Sequence, residues 1–229
     1  RQIGTSAFNS SYNDNAYVGY MYGKIGASTY AETHANTNNS TIKTYIDTWY
    51  ENNIKGTSNE QYIADNIFCN DRSISIYTNK YNTKLGYGTN LTSYRWAYGP
   101  WNGTKYGNMK MMLTCPQKND AFTVSDTSKG NGALTYPVGL LSKDEIVLAG
   151  GWLSRVNDFY LSTWQTWWTS SPQVGSDNTY VHYLYSDGNA SYVDDNVSWD
   201  AGVRPVFNLK AEVLAQGSGT ATDPYRISS

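Results

Sequence analysis

The chain has 229 residues and a net charge of −2, and only 16% of its residues are charged. It contains no block of basic residues, which argues against a nucleic-acid partner, and no run of about 20 apolar residues, which argues against membrane insertion. Because the sequence begins at Arg1 instead of Met, we expect it to be part of a longer protein, so the absence of an export signal or anchor from this sequence carries no conclusion.

The composition is rich in large amphipathic side chains. Tyr occurs 21 times and Trp 8 times, against 5 Phe. Combined with Asn, Ser and Gly, these residues are typical of antibody-like binding surfaces. Composition alone therefore indicates either a ligand-binding surface or a secreted β-rich domain that has none.

The first two thirds of the chain predict two clear helices. Apolar residues from Ile42 to Trp49 recur at helical spacing, Ser40 or Thr41 can cap that helix, and Gly56 lies past its end. A capping box over 142–145 predicts the second helix, which Gly150 and Gly151 end. Weaker patterns predict a strand over Asn13–Gly23 and a polar loop over Gly26–Ser40. They also predict a short helix that Ser58 and Gln61 cap and that ends near Ile67. Beyond it we expect loops with short strands over Asn70–Asn108 and a strand over Met109–Thr114.

After Gly151 the pattern becomes all-β. Asp187-Gly188 between two β-prone runs predicts a hairpin, and Pro205 is compatible with a strand start or an edge strand. The expected strands are Trp164–Ser171, Tyr180–Tyr185, Ala190–Val193 and Val203–Leu209, with a closing strand within Gly217–Ile227. Two helices followed by a mostly antiparallel sheet with long loops predict the α+β class.

The two cysteines, Cys69 and Cys115, have no zinc-site spacing. In an exported protein an even cysteine count favours one disulfide, which would close a long loop and stabilise by about 3–4 kcal/mol; two separate buried thiols are the alternative. With only His34 and His182 in the chain, we predict no metal site built on histidine.

No phosphate-binding glycine motif or nucleophile-elbow motif occurs, and we predict neither a catalytic residue nor a cofactor. We interpret Asp187, Asp194 and Asp195 as turn residues at a hairpin end. The alternative is a glycosidase-like pair of catalytic carboxylates, Asp187 with Asp194 or Asp195. Four residues form a cluster of oxygen ligands: Asp194, Asp195, Asn196 and Asp200. This cluster is interpreted as a solvated polar loop, and a calcium site is the alternative.

The tryptophans after Gly151 are divided between core and surface. Strand alternation places Trp164 and Trp168 on one face and Trp167 on the other, and we expect Trp168 in the core. Trp199, in a polar segment, is the candidate for an exposed aromatic that stacks on a sugar or anchors a protein contact. The alternative is that Trp199 folds back over the sheet.

Three late segments carry a resemblance to a known family. They are Trp168-Thr169-Ser170-Ser171-Pro172, Asp187-Gly188, and Gly202-Val203-Arg204-Pro205-Val206-Phe207-Asn208-Leu209. Together they resemble the C-terminal core of bacterial C-type-lectin-like domains related to the formylglycine-generating enzyme, in which a W-x-x-SP, G, GVRP pattern closes the fold. Other segments, including Phe68-Cys69-Asn70-Asp71, resemble gut Firmicutes surface and pilin-like proteins.

The resemblance implies one C-type-lectin-like domain over residues 1–229, with the scaffold and helices in 1–150 and the ligand-binding surface and closing strands in 151–229. The enzymatic branch of that superfamily uses late cysteines, and this chain has none after Cys115, so no enzyme activity is implied. The other branch comprises variable proteins diversified by retroelements at positions before the GVRP-like segment. Arg204 is expected to be structural, through backbone carbonyls, with a ligand-carboxylate contact as the alternative.

The expected function is extracellular recognition or adhesion, in which a protein or carbohydrate ligand is bound at a bacterial or phage-associated surface. The alternatives are a structural pilin-like subunit and an enzyme of formylglycine-generating or glycosidase type. The predicted ligand-binding residues are Asn157, Asp158, Tyr160, Asp177, Tyr180, His182, Tyr183, Tyr185, Asn189, Asp194, Asp195, Asn196, Ser198, Trp199 and Asp200.

Overall fold

A computed structural model gives the fold of the protein. It describes residues 1–73, 112–149, 161, 165–173, 179–184, 193–213, 215–218, 220, 222–223 and 226–227, and for 193–195 and 215 it describes the backbone alone.

Within these residues the α-helices are α1 (Tyr30–Thr33), α2 (Thr41–Asn53) and α3 (Lys143–Leu148). Short 3-10 helices cover Asn15–Val18, Glu60–Tyr62 and Lys118–Asp120. The strands are β1 (Gly4–Ala7), β2 (Met21–Tyr22), β3 (Asn38–Asn39), β4 (Ile63–Ala64), β5 (Phe68–Cys69), β6 (Ala121–Phe122), β7 (Trp167–Gln173), β8 (Tyr180–Leu184), β9 (Val193–Asn196), β10 (Asp200–Val203), β11 (Asn208–Leu209), β12 (Ala215–Gln216) and β13 (Arg226–Ile227). The predicted α+β class is confirmed.

A five-stranded sheet in the order β1-β10-β7-β8-β9 is the largest one in the described residues. Its neighbouring strands are antiparallel except for β10 and β7, which run parallel. Gly202 sits at the parallel pairing, opposite Trp167. A Cβ at Gly202 would lie 2.5 Å from the carbonyl oxygen of Thr166, so the close approach of these two strands requires glycine. The other described strands form pairs: β2 with β3, β4 with β11, β5 with β6, and β12 with β13.

Both predicted helices are present, and their caps explain where they begin. The hydroxyl of Ser40 accepts from the backbone N–H of Lys43 at the start of α2. In α3 the capping box forms: the Ser142 hydroxyl accepts from the N–H of Glu145, whose carboxylate accepts from the N–H of Ser142. Each cap satisfies N–H groups that a helix leaves free at its N-terminus.

The core covers both faces of the sheet. The larger cluster includes Trp168 and Tyr183 from the sheet and Ile42 and Ile46 from α2. A smaller cluster on the other face joins Trp167 and Leu184 to Ile146 of α3. The adjacent tryptophans are therefore both buried but point to opposite faces, as strand alternation predicts, and the expectation that Trp168 is a core residue is confirmed.

A buried ion pair holds the first part of the chain together. The guanidinium of Arg72, fully buried, donates to the carboxylate of Asp120, to the carbonyl of Met21 and to the side-chain oxygen of Asn36. Asp120 also accepts from the backbone N–H of Arg72. Such a pair is tolerated in a core because its remaining donors and acceptors are hydrogen-bonded.

The structure contains the predicted disulfide between Cys69 and Cys115, whose Cα atoms are 5.5 Å apart. It links β5 to a segment 46 residues later in the chain. No helix within the described residues is long and apolar enough to cross a membrane.

Some local predictions were wrong. The strand expected over Asn13–Gly23 is reduced to Met21–Tyr22. Asn15–Val18 form a 3-10 helix instead, which the Asp14 carboxylate caps through the N–H of Ala16. The helix expected from Ser58 to Ile67 is reduced to the 3-10 helix Glu60–Tyr62, which has no side-chain cap. The Gln61 amide donates to the Ser58 carbonyl and does not complete a capping box with it, and β4 begins at Ile63.

Other predicted ranges differ in part. The polar loop Gly26–Ser40 contains α1 and β3, and Met112–Thr114 form no strand. The strand expected over Val203–Leu209 is divided into the end of β10 and β11, so Pro205 lies between strands. Residues 74–111, including most of the predicted loop region and the start of the predicted strand Met109–Thr114, lie outside the described residues.

Candidate binding surface

Trp199 lies in the turn between β9 and β10, and 63% of its surface is exposed. Of the two interpretations of this residue, the structure supports the exposed one. Its backbone N–H donates to the carbonyl of Asn196 at 2.9 Å, and the Asn196 side-chain oxygen accepts from both the N–H and the hydroxyl of Ser198. The turn therefore holds the indole on an ordered backbone.

The backbone beneath this turn is tied to the N-terminal segment. Val197 is fully buried, and its carbonyl accepts from the N–H of Asn9 at 2.9 Å. Asp200 begins β10 opposite Ala7 of β1. Because a rigid platform lowers the entropy lost on binding, this arrangement suits a residue that contacts a ligand.

Three more predicted residues lie beside Trp199. Asp200 is exposed, while Asn196 and Ser198 are half-buried. Tyr180, also half-buried, pairs with Asn196 at the start of β8. The structure thus brings these residues to the same end of the sheet.

Tyr12 belongs to the same end of the sheet, and the sequence reasoning missed it. Its side chain is 44% exposed, and its carbonyl accepts from the backbone N–H and the hydroxyl of Thr179, the residue before β8. No local pattern could have revealed this, since the contact joins segments 167 residues apart. We call this set the Trp199 surface: Tyr12, Tyr180, Asn196, Ser198, Trp199 and Asp200.

Two predicted ligand-binding residues, His182 and Tyr183, are instead interior. They are 3% and 8% exposed, respectively. Tyr183 packs edge-on against Trp168, with 5.9 Å between ring centroids. Burial lowers the pKa of His182 well below its usual value, and the positive charge of Lys143 acts in the same direction. The prediction failed because successive residues of a strand face opposite sides, and both sides of β8 are covered, the side of Tyr183 by one core cluster and the side of Leu184 by the other.

The other predicted residues are not placed. Asn157, Asp158, Tyr160, Asp177, Tyr185 and Asn189 lie outside the described residues, as do Trp164 and the hairpin turn with Asp187. Asp194 and Asp195 lie on β9, of which only the backbone is described at those positions. The pairing of β8 with β9 is antiparallel, as a hairpin requires.

Arg204 has a structural role. One of its terminal nitrogens donates to the carbonyl of Leu161 at 2.7 Å, and its guanidinium lies over the Trp167 ring, 4.9 Å from the centroid. The expected bridge to several carbonyls is reduced, in the described part of the chain, to one carbonyl and a cation–π contact.

A cavity of about 230 Å³ lies beside the start of α3. It contains the carboxyl groups of Asp71, Asp144 and Glu145. Each accepts a protein hydrogen bond: Asp71 from Ser73, Asp144 from the N–H of Met112, and Glu145 from Ser142. Among the residues that the structure describes, no three His, Cys, Asp or Glu side chains are arranged to hold a metal ion.

No protein-family model matches the chain, and neither does a curated protein or a solved structure.

Proposed function

We propose that this protein is an extracellular recognition domain that binds a protein or glycan ligand through the Trp199 surface. The observation that carries the proposal is the exposure of Trp199 on a turn whose backbone is hydrogen-bonded on both sides. A large exposed indole costs solvation free energy, and such residues are concentrated at the energetic centres of binding interfaces.

The chemistry around Trp199 supports recognition. Tyr12 and Tyr180 add amphipathic rings, and Asn196, Ser198 and Asp200 add hydrogen-bonding groups. Tyrosine and tryptophan supply contact area at low cost in side-chain entropy, while Ser and Asn supply adaptable hydrogen bonds.

The finer fold is also proposed: a C-type-lectin-like domain of the type found in retroelement-diversified variable proteins. In support, the first strand of the described chain pairs with β10, whose Gly202 and Val203 begin the GVRP-like segment. In the remainder of that segment, the Arg204 guanidinium lies over the Trp167 ring, and Val206 forms a β-bridge with Gly139. A disulfide and an extracellular location are compatible.

The test is a binding screen of the wild-type protein against an array of glycans and an array of extracellular proteins. For at least one ligand so found, Trp199→Ala should weaken binding at least tenfold, since loss of an interface tryptophan commonly costs more than about 1.4 kcal/mol. The matched control is Ile25→Ala, which removes another exposed apolar side chain, 42% exposed, outside the surface.

The proposal would be refuted if Trp199→Ala left the affinity for every ligand found unchanged, or if neither array yielded a ligand. Concentration-dependent self-association in sedimentation experiments, abolished by Trp199→Ala, would indicate the pilin-like subunit instead.

A further inference from the structure

A second feature of the molecule lies along the exposed side of α2. There, a groove of about 640 Å³ runs between α2 and the segment that contains β1 and residues 9–10. Its volume falls in the range of small-molecule sites, about 300–1,000 Å³. Its lining does not include the Trp199 surface, although Asn9 of the groove donates its backbone N–H to Val197 beneath that surface.

Every described residue that lines this groove is uncharged. The lining consists of Asn, Ser, Thr, Tyr and Trp side chains only. The exposed side of a surface helix normally carries charged residues, whereas α2 presents Thr44, Thr48 and Asn52 here. An anion or a cation bound at this site would lack an oppositely charged partner, so the chemistry favours a neutral polar ligand.

The hydrogen-bonding groups in the groove include both donors and acceptors. The hydroxyls of Thr44 and Thr48 donate to helix carbonyls four residues earlier, so toward a ligand their oxygens act as acceptors. Asn53 donates its amide to the carbonyl of Trp49, which leaves its side-chain oxygen as an acceptor. Asn52 offers a whole amide, donor and acceptor together.

Asn9 supplies the independent observation. It lines the groove, is 2% exposed, and its side-chain nitrogen has no hydrogen-bond partner among the described residues. Its side-chain oxygen is already used by the N–H of Ser10. A buried donor left unpaired carries the cost of its lost hydration, so a ligand oxygen that accepted from this amide would relieve that cost.

Aromatic rings are held in place beside these polar groups. Tyr45 packs so closely on β1 that a Cβ at Gly4 would lie 2.2 Å from its hydroxyl oxygen. Trp49 is half-buried, with its ring centroid 6.1 Å from that of Phe207. Fixed rings next to amides and hydroxyls match the two sides of a sugar, whose C–H face packs on aromatic surface while its hydroxyls form hydrogen bonds.

We infer that the α2 groove is a binding site for a neutral oligosaccharide. The inference goes beyond the proposed function because it concerns a different site and commits to one ligand class.

The test uses saturation-transfer NMR on the wild-type protein with maltotriose, cellotriose and triacetylchitotriose as probes, and sialyllactose as a charged comparison. At least one neutral probe should receive saturation and should shift the side-chain amide resonance of Asn9. Asn52→Leu, which removes a groove amide at an exposed position, should weaken that binding at least tenfold. Asn59→Leu, the same change at an exposed position outside the groove, should alter it less than twofold.

Absence of saturation transfer to all three neutral probes would overturn the inference, as would binding of sialyllactose alone. Equal binding by wild type and Asn52→Leu would also overturn it. Trp199→Ala should retain saccharide binding at the groove, which separates this test from that of the proposed function. If Trp199→Ala lost saccharide binding while Asn52→Leu retained it, the saccharide would bind at the Trp199 surface and the inference about the groove would be wrong.

Discussion

The indole nitrogen of Trp168 donates a hydrogen bond to the backbone carbonyl of Ser6, at 2.8 Å, across a sequence separation of 162 residues. Trp168 is fully buried and also packs edge-on against Phe8, with ring centroids 5.9 Å apart. Because Ser6 belongs to β1, which pairs with β10, this side chain fixes the strand on which the Trp199 turn is built.

Replacing Trp168 by Phe should therefore destabilise the fold. The Ser6 carbonyl would lose its indole partner, and the smaller ring would leave unfilled volume; a loss of about 2–4 kcal/mol in unfolding free energy is expected. Urea denaturation followed by circular dichroism measures it. Trp199→Phe, at an exposed position, should stay within about 0.5 kcal/mol of wild type, and equal effects of the two changes would contradict this account.

Arg72 should tolerate substitution poorly. Arg72→Met removes one partner of a fully buried ion pair and leaves the Asp120 carboxylate without its charge partner, which typically costs about 3–5 kcal/mol. The control is Arg226→Met, which breaks an exposed pair with Asp223 and should change stability little. Thermal denaturation of both variants provides the comparison, and a stable Arg72→Met protein would show that the pair is dispensable.

Tyr183 should act on stability and not on a ligand. Tyr183→Ala removes a buried ring that packs on Trp168, and the expected loss is about 3–5 kcal/mol. Tyr12→Ala, at a position 44% exposed on the Trp199 surface, should leave the melting temperature nearly unchanged. Near-wild-type stability of Tyr183→Ala would mean that the ring lies at the surface after all.

The disulfide should contribute substantially to stability. It closes a loop over a sequence separation of 46, for which the chain-entropy model gives about 4 kcal/mol. The double variant Cys69→Ser, Cys115→Ser should lose about that much in urea denaturation, and reduction of the wild type should reproduce the loss. A reduced protein as stable as the oxidised one would disagree with this estimate.

Stability should also decrease in mild acid because of the two histidines. Burial, with Arg72 acting in the same direction, lowers the pKa of His34 to about 2, and burial lowers that of His182 well below its usual value. In the unfolded chain both titrate near about 6.5. Below that pH the unfolded state binds protons that the folded state does not, so the unfolding free energy falls as pH drops from about 6.5 toward 2.

At about pH 5 His34 should cost roughly 2 kcal/mol relative to neutral pH, and His182 should add to the loss in the same direction. Urea denaturation at about pH 7 and pH 5 measures the difference, and His34→Gln should remove the share of His34. Carboxyl groups of the unfolded chain titrate mainly below about 4.5. Burial raises the pKa of Asp120 in the folded protein, which acts in the opposite direction on stability. Stability that is independent of pH over the same window would show that the histidines can be protonated in the folded protein.

Local features explain what could be predicted from the sequence. The caps at Ser40 and Ser142 and the apolar spacing in α2 involve residues within a few positions of each other, so they specify helices before any tertiary contact exists. The polar neighbours of Trp199 and the presence of only two cysteines each left two interpretations open; the structure decided for the exposed indole and for the disulfide.

Tertiary structure alone decided which strand faces are covered. Alternation in β8 is the same whether one or both faces are buried, so the interior positions of His182 and Tyr183 depend on α3, α2 and the N-terminal segment, which pack from far away in sequence. The same holds for Arg72, whose partners Met21, Asn36 and Asp120 come from three separate segments, and for the α2 groove, which exists only where β1 meets the helix. The sequence by itself determined the class of fold and the two capped helices, because these follow from short-range spacing; the allocation of polar and aromatic side chains to core or surface, that of Trp199 included, required long-range packing.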